Sequence, residues 1–222
     1  MLLAIDTATR NLSLAMHNGD QVLSELTWQT MDYHTVELTQ TISGMLHRVG
    51  LAPREIRAIA VALGPGSFTG LRTGLAVAKG LSLANNTPLI GIPTLDIVAT
   101  SIGPEELPLC AVLQAGRNRI CVGQYRWRDR EWRPEGNPIN TTWDRYLADM
   151  DAPALFAGEI DAYGARLLRR RRSRAFVLSP ASGLRRAGFL AELGWERFKR
   201  NRCDNPATLA PIYLSTPGTA GP

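Results

Sequence analysis

Histidine, cysteine and long apolar stretches are all scarce in this chain of 222 residues, and each scarcity excludes a class of protein. The three cysteines, Cys110, Cys121 and Cys203, show no CxxC or CxxH spacing, and their odd number argues against a disulfide framework. The histidines His17, His34 and His47 share no i,i+4 spacing, so we expect no bound metal. No run of 18 apolar residues occurs, which excludes a membrane-spanning helix.

The amino terminus, Met1 to Asp6, has no basic segment before its apolar residues and reaches an acidic residue at once. This is not the pattern of a secretory signal, and we expect a cytoplasmic protein. The apolar fraction of 45% is that of an ordinary globular chain, long enough to bury a substantial core.

Charge is divided unevenly along the chain. Residues 1–102 carry 6 basic and 7 acidic side chains, whereas residues 103–222 carry 19 and 13. The densest positive run is Arg169, Arg170, Arg171 and Arg172, which predicts a nucleic-acid contact, because such clusters attract phosphate backbones. The alternative is a solvated helix end whose cations favour the negative pole of the helix dipole.

Apolar periodicity predicts an antiparallel three-stranded opening followed by alternating helices and strands. Asn18-Gly19 suits a type I′ hairpin turn, and Gly50 suits the left-handed residue that follows a helix. The pattern predicts an α/β fold with a mixed sheet covered by helices. The predicted strands are 2–6, 12–18, 21–29, 56–63, 88–92, 109–114, 119–128, 154–158 and 175–178, and the predicted helices are 35–49, 70–84, 94–102, 142–150, 161–171 and 183–201.

The stretch Pro104 to Pro108 is predicted to connect two lobes, because its prolines break regular structure and the charge balance changes there. The second lobe repeats the strand-turn-strand opening of the first. We therefore predict an N-terminal lobe over residues 1–103, a C-terminal lobe over 104–216 and a frayed tail over 217–222.

The glycine-rich loop Gly64-Pro65-Gly66-Ser67 joins a predicted strand to a predicted helix and invites a phosphate-binding interpretation. It does not match a P-loop, because Leu71-Arg72 stand where Lys-Ser/Thr is required, and its glycine spacing is not that of a dinucleotide fingerprint. The alternative is a tight turn without a ligand. Asp6 with Thr7 offers the same choice between a phosphate or Mg²⁺ contact and a capped turn.

The helix after this loop has small residues at every fourth position, which lets another helix approach closely. That helix belongs either to a partner chain or to the same lobe. For the first case, the predicted partner-binding helices present Thr35, Leu38, Ile42, Met45, Gly70, Thr73, Gly74, Val77 and Ala78. Gly74→Arg is then expected to abolish pairing while leaving the monomer folded.

Four segments of the first lobe resemble the bacterial TsaB family, also called YeaZ: LLAIDTAT (2–9), His34-Thr35, IRAIAVALGPGSFTGLRTGLAVAKGLSLA (56–84) and PLIGIPTLD (88–96). The resemblance weakens in the second lobe, although APIYL (210–214) is similar to the carboxy-terminal P-x-Y-L pattern of the family.

This resemblance implies an actin/Hsp70/sugar-kinase (ASKHA) fold of two related α/β lobes, with the second one shortened. It also implies a function in forming N6-threonylcarbamoyladenosine (t6A) at position 37 of tRNAs that read ANN codons. The implied partners are a TsaD-like catalytic subunit and a TsaE-like ATPase, with a homodimer when the chain is alone. The stoichiometry, and whether tRNA or a nucleotide touches this chain, stay open.

The resemblance further implies a non-catalytic subunit without a cofactor. TsaD-like relatives place a metal-binding HxxxH after the strand matched by Pro88–Ile92, and this chain has no histidine from Ile92 to Val98. The alternative is an ATP-dependent small-molecule kinase or a glycoprotease-like hydrolase of the same fold. One departure is Gln114-Ala115-Gly116-Arg117, which replaces the Asp-Ala-Arg of many relatives and leaves the role of Arg117 open.

Overall fold

Contacts within the chain divide it into two units, described in a computed structural model that covers residues 1–30, 34–116 and 118–214. Unit 1 consists of Met1–Ile97 and Arg186–Ile212. Unit 2 consists of Val98–Arg185 together with Tyr213 and Leu214.

The sheet of unit 1 has five strands in the order β3-β2-β1-β4-β5. The first three pair antiparallel, whereas β4 and β5 add in parallel. This confirms the predicted antiparallel opening and mixed sheet. The strands are β1 (Leu2–Asp6), β2 (Asn11–His17), β3 (Val22–Gln29), β4 (Ala58–Gly64) and β5 (Leu89–Pro93).

The hairpin between β2 and β3 lies where it was predicted, but its turn is centred one residue later. The Asn18 amide donates to the Gln21 carbonyl at 3.1 Å, which makes Gly19 and Asp20 the central residues. The Asn18 side chain accepts from the amides of Asp20 and Gln21, both at 2.9 Å. The register shift at His17 explains the difference from a type I′ turn, because it moves Asn18 out of the central position.

Two helices cover one face of this sheet, α1 (His34–Arg48) and α2 (Phe68–Asn85). Leu38, Ile42 and Met45 of α1 pack with Leu75 of α2 on the apolar side chains of β1, β2 and β4. Gly50 follows α1 with a φ of +69°, as its position predicts.

The opposite face is covered by α6 (Ala187–Lys199), which comes from the carboxy-terminal part of the chain. Ala187, Leu190 and Ala191 are fully buried against alanines and leucines of β1, β2 and β4. The structure therefore differs from the predicted division at residues 103/104, which assigned residues 104–216 to one lobe. Residues 186–212 belong to unit 1. Helix α6 covers the apolar face of the first sheet that α1 and α2 leave exposed to water. The predicted tail, 217–222, lies outside the described residues.

Unit 2 repeats the same arrangement with a six-stranded sheet in the order β11-β10-β6-β7-β8, with β9 also paired to β7. Its opening pair β6/β7 is antiparallel, and β10 and β11 add in parallel. The expected α/β class with a mixed sheet in each lobe is confirmed. The elements are α3 (Thr94–Thr100), β6 (Leu109–Gln114), β7 (Ile120–Arg128), β8 (Glu131–Pro134), β9 (Ile139–Thr141), α4 (Trp143–Ala148), β10 (Ala154–Gly158), α5 (Ala162–Arg169) and β11 (Ala175–Val177), of which α3 spans the division between the units.

The short strands β8 and β9 were not predicted from the sequence. Strand β8 reads EWRP, and β9 has only three residues, so neither shows a repeating apolar pattern. They form because β7 is long enough to pair with both along one edge. No helix in the described part of the chain is long and apolar enough to cross a bilayer.

A matched pair of glycine substitutions tests the packing of α6 on the sheet. An alanine at Gly194 would place its Cβ 2.6 Å from the Cβ of Ala60, whereas nothing lies within 4 Å of the same atom at Gly44. We expect Gly194→Ala to destabilise the protein by about 1–3 kcal/mol through overpacking. Gly44→Ala should stabilise it by about 0.5–1 kcal/mol, because alanine has the higher helix propensity. Urea denaturation measures both, and equal effects of the two changes would contradict this packing.

The buried His17 predicts a loss of stability in mild acid. Its Nδ1 accepts a hydrogen bond from the Gly19 amide at 3.0 Å, and its ring packs on Trp195. Burial lowers the pKa of His17, an effect opposed by the carboxylates of Glu192 and Asp20. The unfolded chain therefore takes up the proton first, so this stabilisation is complete above about pH 6.5 and is lost as the pH falls towards the lowered pKa.

Melting temperatures at pH 8.0 and pH 5.5 measure this effect. We expect the difference between the two temperatures to be smaller in His17→Gln than in the wild type. His47→Gln, which changes an exposed histidine of α1, is the control and should keep the wild-type difference. A pH dependence that is identical in all three proteins would remove His17 as its cause.

Candidate functional site

The glycine loop is closed by the chain itself. The Gly64 amide donates to Oγ1 of the buried Thr94 at 2.9 Å, and the Ser67 amide donates to the Ala8 carbonyl at 2.6 Å. A Cβ on Gly66 would collide with that same carbonyl. Two of the amides that a phosphate would use are therefore engaged internally, and the geometry is that of the tight turn.

The turn after β1, which contains Ala8, packs against the glycine loop. The Asp6 carboxylate accepts the Ala8 amide at 2.9 Å, and the Thr7 hydroxyl donates to the Gly70 carbonyl at 2.7 Å. Both side chains are buried, at 0% and 1% exposure. Of the two interpretations of Asp6 and Thr7, a phosphate or Mg²⁺ contact and a capped turn, this geometry is that of the capped turn. The Asp6 carboxylate accepts a hydrogen bond from the backbone of its own loop.

Two of the small residues at every fourth position of α2, Gly70 and Gly74, face this turn. A Cβ on Gly70 would collide with the Thr7 carbonyl, and one on Gly74 with the Thr7 hydroxyl. Ser82, on the same strip, donates to the Thr87 carbonyl at 2.6 Å. The strip therefore packs inside unit 1, with Gly70 and Gly74 against the turn and Ala78 in the core cluster that includes residues of α1.

This packing corrects most of the predicted partner surface. Thr73 and Val77 are half-buried and remain accessible. Thr35 lies in the first turn of α1. The other predicted residues are buried inside unit 1: Leu38, Ile42, Met45, Gly70, Gly74 and Ala78. Gly74→Arg would therefore disrupt the lobe and does not test pairing.

The accessible face of α2 carries a second strip of small residues that the sequence interpretation missed. Two large apolar side chains of this helix are exposed: Leu83 at 86%, and Phe68, at the start of the helix beneath the Arg72 guanidinium, at 55%. Nothing lies within 4 Å of a Cβ built on Gly80. The strip consists of Thr69, Thr73, Ala76, Gly80 and Ala84, at spacings of three and four.

Helix α1 adds an accessible face of similar character. Ser43 and Gly44 are exposed, and Gly44, like Gly80, has open space where a side chain would stand. We call these exposed faces of α1 and α2 the two-helix surface. Its small residues permit close approach of another helix, and Leu83 supplies an uncovered apolar side chain.

Gln114, the residue that departs from the family pattern, is held in place within unit 2. Its backbone amide donates to a Glu159 carboxylate oxygen at 3.1 Å, and its side-chain amide donates to the Glu159 backbone carbonyl at 2.9 Å. Glu159 in turn pairs with the buried Arg185 at 2.9 Å. The position therefore serves packing in this chain, and Arg117 lies outside the described residues.

A cavity of about 520 Å³ in unit 2 lies between β7, β9 and α4. At its wall, the Tyr146 hydroxyl bonds to Gln124 and to the Cys110 thiol, both at 3.0 Å. Burial raises the pKa of Tyr146, and burial also raises the pKa of Cys110 to about 11. Both groups stay protonated at neutral pH, so neither of them is an activated nucleophile.

Metal-ligating side chains do not converge in the part of the chain that the structure describes. No group of three or more histidine, cysteine, aspartate or glutamate side chains could hold an ion there. After β5, where a histidine pair would be needed, Thr94, Leu95 and Ile97 are buried. These positions therefore belong to the buried core of the protein.

The predicted tRNA contact lies at the end of α5. Arg169 is the last residue of the helix, and Arg170, Arg171 and Arg172 follow in the turn before β11. Arg171 is half-buried and the other three are exposed.

Comparison with known proteins identifies relatives of the whole chain and of its parts. The family described as TsaD, tRNA N6-adenosine threonylcarbamoyltransferase, matches residues 22–148. TsaB of Bacillus subtilis, a "tRNA threonylcarbamoyladenosine biosynthesis protein", is 28% identical over 160 residues, which are 71% of this chain and 70% of that protein. TsaB of Escherichia coli is 38% identical over 98 residues, which are 44% of this chain but only 42% of that protein.

Solved structures extend the similarity over both units. YeaZ from Pseudomonas aeruginosa has a TM-score of 0.79 and 27% identity, covering 96% of this chain and 99% of that one. The ethanolamine utilization protein EutJ from Carboxydothermus hydrogenoformans has a TM-score of 0.51 at 12% identity, covering 86% of this chain and 89% of that one, which shows the fold alone. The predicted ASKHA-like fold is confirmed. The chain belongs to the TsaD family and, within it, to the TsaB (YeaZ) group.

Proposed function

We propose that this chain is a subunit required for forming t6A at position 37 of tRNAs that read ANN codons. The observation that carries the proposal is the match to YeaZ over 96% of the chain, together with the TsaB proteins, which are named for this biosynthesis. The GPGSFTGLR segment (64–72), which belongs to the TsaB resemblance, joins β4 to α2 in unit 1.

The chain's role in that reaction is non-catalytic. Amides of the glycine loop donate to Thr94 and Ala8, so the loop does not present a set of open donors to a phosphate. The segment after β5 packs as core where a metal-binding histidine pair would stand in TsaD-like relatives. Both observations favour a subunit that supplies a surface and leaves the chemistry to its partner.

The two-helix surface is where that partner docks. The occupant is a TsaD-like catalytic subunit, which presents the equivalent helices of the same fold, or a second copy of this chain when the catalytic subunit is absent. Ala76 and Gly80 allow a facing helix to come close, and Leu83 loses its contact with water when the surface is covered. A TsaE-like ATPase completes the assembly.

A charged substitution on the open side of α2 tests this surface. Gly80→Arg places a long cation at a helix position with free space, so the monomer should fold with a melting temperature no lower than that of the wild type. Gly103→Arg is the matched control, because Gly103 also has nothing within 4 Å and lies in unit 2. Sedimentation velocity with the TsaD-like protein of the same organism should show loss of the complex for Gly80→Arg and a normal complex for Gly103→Arg. Normal assembly of Gly80→Arg would rule out this docking face.

Complementation tests the function itself. In a bacterium depleted of its own TsaB, the wild-type chain and Gly103→Arg should restore t6A in bulk tRNA, measured by mass spectrometry of nucleosides. Gly80→Arg should restore at most a tenth of that level, because the catalytic subunit lacks its partner. Normal t6A in the depleted cells without any complementing chain would refute the proposed function.

A further inference from the structure

Five arginines within six residues form the most concentrated charge in unit 2. We call Arg169, Arg170, Arg171, Arg172 and Arg174 the arginine cluster. All but the half-buried Arg171 are exposed. Among the residues that the structure describes, no carboxylate forms an ion pair with any of them.

The missing carboxylates set the cluster apart from four other arginines of the same unit, Arg126, Arg128, Arg133 and Arg185. Arg126 and Arg128 both reach Glu135 at 3.0 Å, and Arg185 bonds to Glu159 at 2.9 Å. Unit 2 thus neutralises arginines elsewhere with acidic neighbours. In the cluster it keeps five like charges together, at a cost in mutual repulsion that an external anion would relieve.

The helix dipole does not account for this arrangement. Helix α5 is capped at its start by Asp161, whose carboxylate accepts the Gly164 amide, and it ends at Arg169. A helix end carries about half a negative charge and acts only over the last turn, so it favours one or two cations. Arg172 and Arg174 lie beyond the helix.

The backbone that carries the cluster is fixed. The amides of Arg174 and Ala175 both donate to the Arg171 carbonyl at 2.8 Å, and the Arg174 carbonyl accepts the Ala154 amide at 2.9 Å. The turn is anchored on both sides, by Leu168 and Ala175 in the core of unit 2. Its guanidinium groups are therefore presented at low cost in backbone ordering.

An exposed aromatic side chain follows the cluster two residues later in the chain. Strand β11, which begins at Ala175, is the edge of the sheet and exposes Phe176 at 44% and Val177 at 42%. Single-stranded RNA is bound by surfaces that combine basic groups for the phosphates with aromatic rings on which bases stack. A surface that binds an acidic protein segment has no such need for an exposed ring.

From these observations we propose that the arginine cluster with Phe176 is an RNA-binding surface that holds the phosphate backbone of the tRNA substrate. This inference rests on the proposed function for the identity of the RNA. Guanidinium groups suit the contact because each can donate two parallel hydrogen bonds to one phosphate. The surface positions tRNA and takes no part in the chemistry.

Fluorescence anisotropy with a labelled, unmodified tRNA transcript tests the proposal on the full chain. The variant Arg169→Gln/Arg170→Gln/Arg172→Gln removes three exposed charges. We expect its affinity to fall at least tenfold in 0.1 M salt. The slope of log K against log[salt] should become shallower by about two to three, because each lost phosphate contact removes about one counterion.

The matched control is Arg128→Gln/Arg130→Gln/Arg133→Gln, which removes three exposed arginines from the β7–β8 hairpin of the same unit. It changes the net charge by the same amount and should leave tRNA affinity within twofold of the wild type. Phe176→Ser should weaken binding severalfold without changing the salt slope, because stacking releases no counterions. Melting temperatures check that each variant is folded.

Two results would overturn the inference. Equal losses in the cluster and control variants would show that only overall charge attracts RNA. A cluster variant that binds tRNA normally but loses the TsaD-like or TsaE-like protein in sedimentation would show that the cluster docks an acidic protein. Neither result bears on the proposed function. That proposal is refuted separately if cells depleted of their own TsaB keep normal t6A.

Discussion

The close approach between the turn after β1 and the start of α2 is the contact on which unit 1 depends. Side chains at Gly66, Gly70 and Gly74 would collide with Ala8 or Thr7, so this contact requires glycine at three positions along one line. The approach brings the Thr7 hydroxyl onto a helix carbonyl and the Ser67 amide onto the Ala8 carbonyl. A loop whose glycines often serve a phosphate in other folds serves here to join a helix to a sheet.

The contact between α2 and the turn after β1 also determines which face of α2 remains accessible. Because one strip of small residues is used against the turn, the strip on the opposite side stays accessible, together with Leu83. One face of α2 is therefore closely packed inside unit 1, and the opposite face is accessible to solvent. A surface of this kind suits a protein whose role is to hold another subunit.

Local sequence patterns predicted most of the elements, but not which face of α2 is buried. The three- and four-residue spacing located α1 and α2, and the alternating pattern located the opening strands. The buried face could not be assigned, because small residues repeat on both sides of α2, at 70, 74, 78 and 82 and at 69, 73, 76, 80 and 84. Only the tertiary contact with Thr7 distinguishes them. Docking of α6 on the first sheet was missed for a similar reason, since it depends on residues more than about 90 positions apart in the chain.

The central claim is that this chain supplies surfaces while a related subunit performs the reaction. The most direct measurement is the initial rate of t6A formation in a purified mixture of tRNA, ATP, threonylcarbamoyl donor precursors and the subunits, with each protein omitted in turn. The account predicts that this chain alone forms no t6A and hydrolyses no ATP, and that the TsaD-like subunit needs it for full activity. Turnover by this chain alone, or an unchanged rate without it, would contradict the account.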